Sequence, residues 1–164
     1  HKKDNPLPNY VSGKDVKIIA DWVKNGGTLV LMANDSSNCE LTLFNKLAGV
    51  FGIRFSNKSI NMVKNDVYEQ GEVMVMPGNP FFKTAERLFL KEISALEVKV
   101  PAKTIVSKGN DKVIASAVYG KGRVLAVGDP WLYNEYVDGR RLPSTFDNYE
   151  AAGALVKWLL QSKK

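Results

Sequence analysis

The chain has 164 residues, of which 45% are hydrophobic and 24% charged, a composition typical of one globular domain and not of a disordered or fibrous chain. Its 23 basic and 17 acidic residues give a net charge of +6, but the lysines are scattered and form no basic stripe of the nucleic-acid-binding type. No apolar run reaches the roughly 20 residues that span a bilayer, and a single cysteine excludes an internal disulfide and a multi-cysteine metal site.

The first half of the sequence predicts a lead-in, a capped helix and a buried strand. Residues 1–11 are polar and contain two prolines, so we expect a linker there and one domain over 12–164. Ser12 and Asp15 have the capping-box spacing at the start of an amphipathic helix. The apolar run 28–33 predicts a strand covered on both faces. Because a doubly wound domain normally opens with a strand, we expect at least one strand upstream.

Two further helices and a short strand are predicted in the middle of the chain. A helix is expected to carry Phe44, Leu47, Ala48 and Phe51 on one face and to stop at Gly52. The segment "GEVMVM" favours a strand. Asn followed by Pro at 79–80 is typical of a helix start, with Ala85, Leu88 and Phe89 inside that helix.

The last third of the sequence predicts a β-meander and a closing helix. Residues 102–129 hold three apolar runs separated by the turn sequences "KGND" and "YGKG". Asp147 and Glu150 are expected to cap a final helix with Ala152, Leu155, Val156 and Leu159 on its core face. This order of elements predicts an α/β fold, a three-layer flavodoxin-like sandwich with a mostly parallel central sheet that includes 28–33 and 124–128.

The sequence does not support a nucleophilic or phosphate-binding site. Cys39 lies several residues beyond the elbow where a catalytic cysteine would sit, and the only histidine is His1 in the lead-in, so no base is at hand to activate the thiol. The glycines of 120–123 join two strands and open no helix, which indicates a hairpin turn. Asp35, Asp129 and Glu135 have oxygen ligands suited to a hard cation but lack metal-loop spacing. We therefore predict no catalytic residue, metal or cofactor.

A binding or docking edge is predicted where the two apolar strands end. Parallel strands share direction, so the residues that follow 28–33 and 124–128 should meet at one edge of the sheet. Aromatic rings stack on the apolar faces of sugars, and carboxamides and carboxylates bind their hydroxyls. The edge is therefore predicted to bind a sugar or to dock on another domain through Asn34, Asp35, Asp129, Trp131, Tyr133, Asn134 and Glu135. Simple loop packing remains an alternative for this aromatic set.

Four segments resemble a known family. They are "IADWVKNGGTLVLMAND", "FNKLAGVFGIRF", "NPFFKTAERLFLKEISAL" and "GKGRVLAVGDPWLYNEY…FDNYEAAGALVKWLL". They look like the glutamine-amidotransferase-like domain attached to bacterial unsaturated rhamnogalacturonyl or glucuronyl hydrolases, which act on pectin fragments. The resemblance implies a flavodoxin-like accessory domain whose partner is a separate catalytic (α/α)-barrel, and it implies a periplasmic or secreted location. The cysteine and histidine of the amidotransferase-like group have no counterpart here.

The expected function is that of a non-catalytic accessory domain of a polysaccharide-degrading glycoside hydrolase. It would act through domain packing, oligomer contacts or weak carbohydrate binding, with the catalytic barrel, an oligosaccharide or a second copy as partner and with neither nucleic acid nor membrane. The alternative is a free-standing hydrolase-like enzyme that uses Asp35, Asp129 and Glu135 on a small carbohydrate or acyl substrate. A nucleic-acid module would rest on net charge alone.

Overall fold

The computed structural model describes residues 9–79, 81–130, 136–137 and 139–161. The helices of this part are α1 (Gly13–Lys24), α2 (Leu41–Val50) and α3 (Asn148–Leu160), and a 3-10 turn spans Tyr68–Gly71. The strands are β1 (Thr28–Met32), β2 (Ile53–Ile60), β3 (Glu72–Met74), β4 (Arg87–Phe89), β5 (Ile93–Val98), β6 (Lys103–Lys108), β7 (Asp111–Tyr119) and β8 (Gly122–Val127). No helix in these ranges is long and apolar enough to cross a membrane.

The main sheet is mixed and largely antiparallel. Its strands follow the order β1-β8-β7-β5-β2, with β6 also paired to β7, while β3 and β4 form a separate hairpin. Among the strands in the described ranges, β1 and β8 alone run parallel, with Met32 opposite Val127 at their ends. The predicted flavodoxin-like sandwich with a mostly parallel sheet is therefore wrong. The antiparallel strands β2 and β5 account for the difference, because the polar sequence of β2 and the short apolar run of β5 were not predicted as strands.

The prediction of a helix after Asn79 is also wrong. The Asn79 side chain does accept backbone hydrogen bonds from Phe81 (2.9 Å) and Phe82 (3.0 Å), as a helix cap would. The chain then extends, however, and its residues 87–89 form β4 against β3. Phe82 is buried beneath this hairpin. The cap hydrogen bonds of Asn79 do form, but burial of the following apolar residues with the β3–β4 hairpin overrides the helical preference.

The predicted cap of α1 is confirmed, whereas the predicted Asp147 cap of α3 is wrong. Asp15 donates its backbone N–H to Ser12 Oγ at 3.2 Å, and Asp15 Oδ2 accepts from Ser12 N at 2.9 Å, so the predicted capping box is present. Asp147 stands before α3 but makes no side-chain cap. Its Oδ2 instead accepts from the backbone N–H groups of Glu86 and Arg87, each at 2.8 Å. The carboxylate therefore fixes the start of α3 to the β3–β4 hairpin.

The sheet separates two apolar cores. On one face α1 and α2 pack with alternate residues of the sheet, among them Val124 and Ala126 of β8. On the other face the β3–β4 hairpin and α3 pack on Leu125 and Val127 of the same strand. Alternation of side chains along one buried strand thus serves both layers.

Candidate functional site

The predicted edge lies at the carboxyl ends of β1 and β8, which are neighbours. Asn34 and Asp35 follow β1, and Asp129 follows β8 at the same end of the sheet. Trp131, Tyr133, Asn134 and Glu135 lie outside the described residues.

Asp35 organises the loop between β1 and α2. Its Oδ1 accepts from Ser37 Oγ (2.6 Å) and Asn38 Nδ2 (2.9 Å), and its Oδ2 accepts from Ser59 Oγ of β2 (2.9 Å). Burial of the carboxyl group favours its neutral form, but these donors outweigh burial and hold the pKa of Asp35 below its ordinary value. An ionised carboxylate with three side-chain donors is a loop anchor, and it is poorly suited to act as a general acid or base.

Asp129 is fully buried, and its carboxyl group also anchors a neighbouring segment of the chain. Its Oδ2 accepts a hydrogen bond from the backbone N–H of Lys91. Because this side chain has no exposed surface and accepts from the backbone N–H of Lys91, it holds the segment around Lys91 in place.

The segment that crosses Asp129 also contacts the residues that follow β1 and β8. Ile93 forms an isolated antiparallel bridge with Asn34, and the backbone N–H of Ser94 donates to Gly128 O at 2.8 Å. A Cβ on Gly128 would lie 2.2 Å from Ser94 O, so the two backbones are in direct contact. Residues 91–94 therefore pack directly against Asn34 and Gly128 at the carboxyl ends of β1 and β8.

Cys39 packs inside the same loop. Its Sγ accepts a hydrogen bond from the backbone N–H of Asn34 at 3.2 Å, and burial raises the pKa of the thiol. A thiol that resists ionisation is a weak nucleophile. Among the residues that the structure describes, no three His, Cys, Asp or Glu side chains come together as a metal site would require.

An open groove lies along α3, on the face of the sheet that packs against this helix. This groove has a volume of about 750 Å³ and separates the helix from the residues that precede β4 and from β6. We call it the α3 groove; it is lined by Phe81, Lys83, Thr84, Ile105, Tyr149, Glu150, Gly153, Ala154, Lys157, Trp158 and Gln161. Three aromatic rings therefore share one open surface with five polar side chains.

Contacts with Phe81 and Arg123 fix the position of the Trp158 ring in the α3 groove. The Phe81 and Trp158 rings are 5.4 Å apart between centroids and tilted by 43°. The Arg123 guanidinium lies 4.3 Å from the Trp158 ring centroid and donates to the carbonyl groups of Trp158 and Gln161. Because one guanidinium binds both the indole face and the last carbonyls of α3, the ring and the helix end are positioned together.

The charges of the α3 groove are mixed but favour anions. Lys83 and Lys157 are exposed and stand against one acidic residue, Glu150. Tyr149, with 70% of its surface exposed, lies at the end of the groove nearest the start of α3. Rings with a nearby excess of lysines suit an anionic ligand that has apolar faces, such as a uronic acid.

The candidate site predicted from the sequence does not include this groove. Tyr149, Gly153 and Lys157 recur every four residues, which places them on one face of a helix. The opposite wall gives no such signal, because the Asn-Pro pair at 79–80 predicts a helix through Phe81, Lys83 and Thr84 that the structure does not form.

Comparisons with known proteins establish the fold more than the function. No protein-family model and no curated protein matches the sequence. Among solved structures, the mmIFT52 N-terminal domain matches with a TM-score of 0.70 at 17% identity, over 93% of this chain and 73% of that one. The GH42 β-galactosidase Gan42B from G. stearothermophilus matches with a TM-score of 0.57 at 15% identity, over 92% of this chain.

A second glycoside hydrolase shares the fold. The exo-β-1,4-mannosidase Op5Man5 from Opitutaceae bacterium strain TAV5 matches with a TM-score of 0.55 at 14% identity, over 99% of this chain. The chain spans only 20% of Gan42B and 28% of the mannosidase. Glycoside hydrolases are thus among the proteins of similar fold, and at these identities the likeness shows the fold alone.

Proposed function

We propose that this chain is a non-catalytic accessory domain of a polysaccharide-degrading enzyme, and that its α3 groove binds acidic sugars weakly. The observation that carries the proposal is the α3 groove itself, in which the Phe81 and Trp158 rings lie beside two exposed lysines. The fold occurs as a part of two glycoside hydrolases, which supports a place within such an enzyme. The resemblance to domains of uronyl hydrolases favours a pectic ligand.

The state of the two described carboxylates supports an accessory role over the alternative of a free-standing hydrolase. Asp35 is surrounded by donors from Ser37, Asn38 and Ser59, and Asp129 is buried against a backbone N–H. General acid-base catalysis needs a carboxyl group that reaches substrate with a pKa near the working pH. Neither group meets both conditions, because Asp129 has no exposed surface and the pKa of Asp35 is lowered.

Titration with trigalacturonic acid, followed by amide chemical shifts, tests the proposal. We expect saturable shifts along α3 and around residue 83, with a Kd of about 1 mM, since a shallow groove with few charge contacts provides only about 4 kcal/mol. A neutral trisaccharide such as cellotriose should bind more weakly, because it lacks the carboxylates that would pair with Lys83 and Lys157.

A pair of lysine variants distinguishes binding in the α3 groove from non-specific attraction of the anionic sugar to the positively charged protein. Lys157→Ala should weaken binding about two- to fivefold, the effect of one exposed ion pair. Lys17→Ala removes the same charge from the exposed surface of α1 on the opposite face of the sheet, and should leave the Kd unchanged. Equal effects of both variants, or shifts confined to another face, would contradict the proposed site. Uronyl hydrolase turnover that is lost in Asp129→Asn would contradict the accessory role.

A further inference from the structure

A second opening meets the α3 groove at the start of α3. It has a volume of about 410 Å³, and we call it the Leu142 pocket. The residues of its wall that matter for ligand binding are Tyr136, Leu142, Pro143, Ser144 and Phe146. Tyr149 and Glu150 line both openings. The α3 groove and the Leu142 pocket are therefore parts of one continuous surface.

Aromatic packing fixes the floor of the Leu142 pocket. The Phe89 ring lies 5.0 Å from the Tyr136 ring and 5.8 Å from the Phe146 ring between centroids. The Arg87 guanidinium lies 4.3 Å from the Phe146 ring centroid. Leu142 and Phe146 are buried in the same apolar cluster as Phe89. Because packed side chains form this floor, the pocket offers a ligand an apolar surface that is already in place.

The two openings differ in charge. Lys83 and Lys157 line the α3 groove, whereas Glu150 is the sole charged residue that lines the Leu142 pocket. Arg140 and Arg141 are exposed nearby in the sequence but line neither opening. A carboxylate in the Leu142 pocket would face Glu150, and like charges weaken binding. The α3 groove is thus suited to an acidic group and the Leu142 pocket to an uncharged, less polar one.

The combined surface is long enough for a chain of sugars. Tyr149 and Lys157 lie eight residues apart on α3, a distance of about 12 Å along the helix axis. The Leu142 pocket extends the surface beyond Tyr149. A ligand of several sugar units can therefore place one unit beside Lys157 and another in the Leu142 pocket.

We propose that the ligand is a partly methyl-esterified oligouronate, with a free uronic acid in the α3 groove and a methyl-esterified unit in the Leu142 pocket. The free carboxylate pairs with Lys83 or Lys157, while the ester has no charge and places its methyl group against Leu142 and Phe146. The exposed Tyr149 ring stacks on the sugar between them. This inference rests on the proposed function of the α3 groove and adds selectivity for a mixed pattern of esterification.

Amide chemical-shift titrations of the 164-residue protein with four forms of tetragalacturonic acid test the inference. These are the free acid, the full methyl ester, and the two half-esters with both ester groups at one end or at the other. We expect one half-ester to bind about three- to tenfold more tightly than the free acid or the full ester, as one ion pair and one buried methyl group would give. Its shifts should cover residues 142–150 as well as the rest of α3.

The outcomes distinguish this inference from the function on which it rests. Binding of the free acid at least as tight as that of both half-esters would overturn the inference and leave the proposed function in place. Half-ester shifts confined to the α3 groove, without residues 142–146, would do the same. No binding of any of the four compounds would contradict the proposed function and the inference together.

Two lysine variants test the charge of the Leu142 pocket. Ser144 is exposed in its wall, and Ser144→Lys should tighten binding of the free acid about two- to fivefold and remove the preference for the half-ester. Asn57→Lys adds the same charge at an exposed position of β2 that lines neither opening, and should leave the preference unchanged. Equal effects of the two variants would contradict a ligand in the Leu142 pocket.

Tyr149→Ala tests the connection between the two openings. Tyr149 is 70% exposed, so its removal should leave the fold intact, as urea denaturation would verify. We expect the variant to bind the half-ester about two- to tenfold more weakly, the effect of one stacking ring. Half-ester binding unchanged in Tyr149→Ala would show that the ligand does not cross this residue and would overturn the inference.

Discussion

Asn148 bonds to both backbone groups of Phe89, as a residue of a neighbouring strand would. Its Oδ1 accepts from Phe89 N at 2.8 Å, and its Nδ2 donates to Phe89 O at 2.9 Å. Asn148 is 1% exposed, so water does not compete for these groups. Together with Asp147 on Glu86 and Arg87, this contact joins the start of α3 to β4 and so sets one wall of the α3 groove.

We expect Asn148→Ala to lower the free energy of unfolding by about 2–4 kcal/mol, because it leaves a buried N–H and a buried C=O of Phe89 without a partner. Urea denaturation measures the change. Asn57→Ala, at an exposed position of β2, is the control and should change stability by less than about 0.5 kcal/mol. Similar decreases in the free energy of unfolding of the two variants would show that the hydrogen bonds of Asn148 to Phe89 do not contribute to stability.

Asp35 should make stability depend on pH in the acid range. Its pKa in the folded protein is below the ordinary value of 3.8, so its ionised form stabilises the fold above that pH. This contribution is lost as the pH falls through the folded-state pKa. Asp35→Asn should therefore be less stable than wild type by about 1–3 kcal/mol at pH 7, and the difference should shrink below about pH 4. Denaturant titrations at several pH values measure it.

Ser59→Ala refines the same experiment. It removes one of the three side-chain donors to Asp35 and leaves Ser37 and Asn38 in place. We expect a smaller loss of stability at pH 7 that also declines in acid. A difference between wild type and Asp35→Asn that grows as the pH falls would contradict the assignment of Asp35 as an ionised anchor.

Two glycine-to-alanine changes should have opposite effects on the free energy of unfolding. In Gly128→Ala the new Cβ would meet Ser94 O at 2.2 Å and Ile93 Cγ2 at 2.7 Å, which should destabilise the protein by about 1–3 kcal/mol. In Gly153→Ala nothing lies within 4 Å of the new methyl group, and the helix gains about 0.5–1 kcal/mol from the better helix former. Thermal unfolding compares them, and a tolerated Gly128→Ala would show that residues 93–94 can move away from this edge.

Arg123→Met should loosen the end of α3. The change removes the cation–π contact with Trp158 and the hydrogen bonds to Trp158 O and Gln161 O. We expect a loss of about 1–3 kcal/mol and faster amide exchange in the last turn of α3. Lys46→Met, on the exposed face of α2, is the control for loss of charge and should leave that turn unchanged.

Local sequence signals determined several elements correctly. The Ser12–Asp15 capping box starts α1, the apolar runs at 28–32 and 124–127 form β1 and β8, and the turn sequences of 102–129 produce the β6–β7–β8 meander. Each of these features depends on residues within a few positions of one another. Hydrogen bonds and side-chain alternation at that range are specified by the sequence itself.

Contacts between distant segments decided the rest. Asn79 makes the hydrogen bonds of a cap, yet residues 81–86 form no helix, and residues 87–89 pair with β3 instead. Asp147 precedes a helix but binds a backbone sixty residues away. Residues 91–94 cross the ends of β1 and β8 and pack against Asn34 and Gly128, and the α3 groove opens where Phe81 contacts Trp158. No local pattern encodes which of several buried surfaces will pack together, so only the tertiary structure locates these sites.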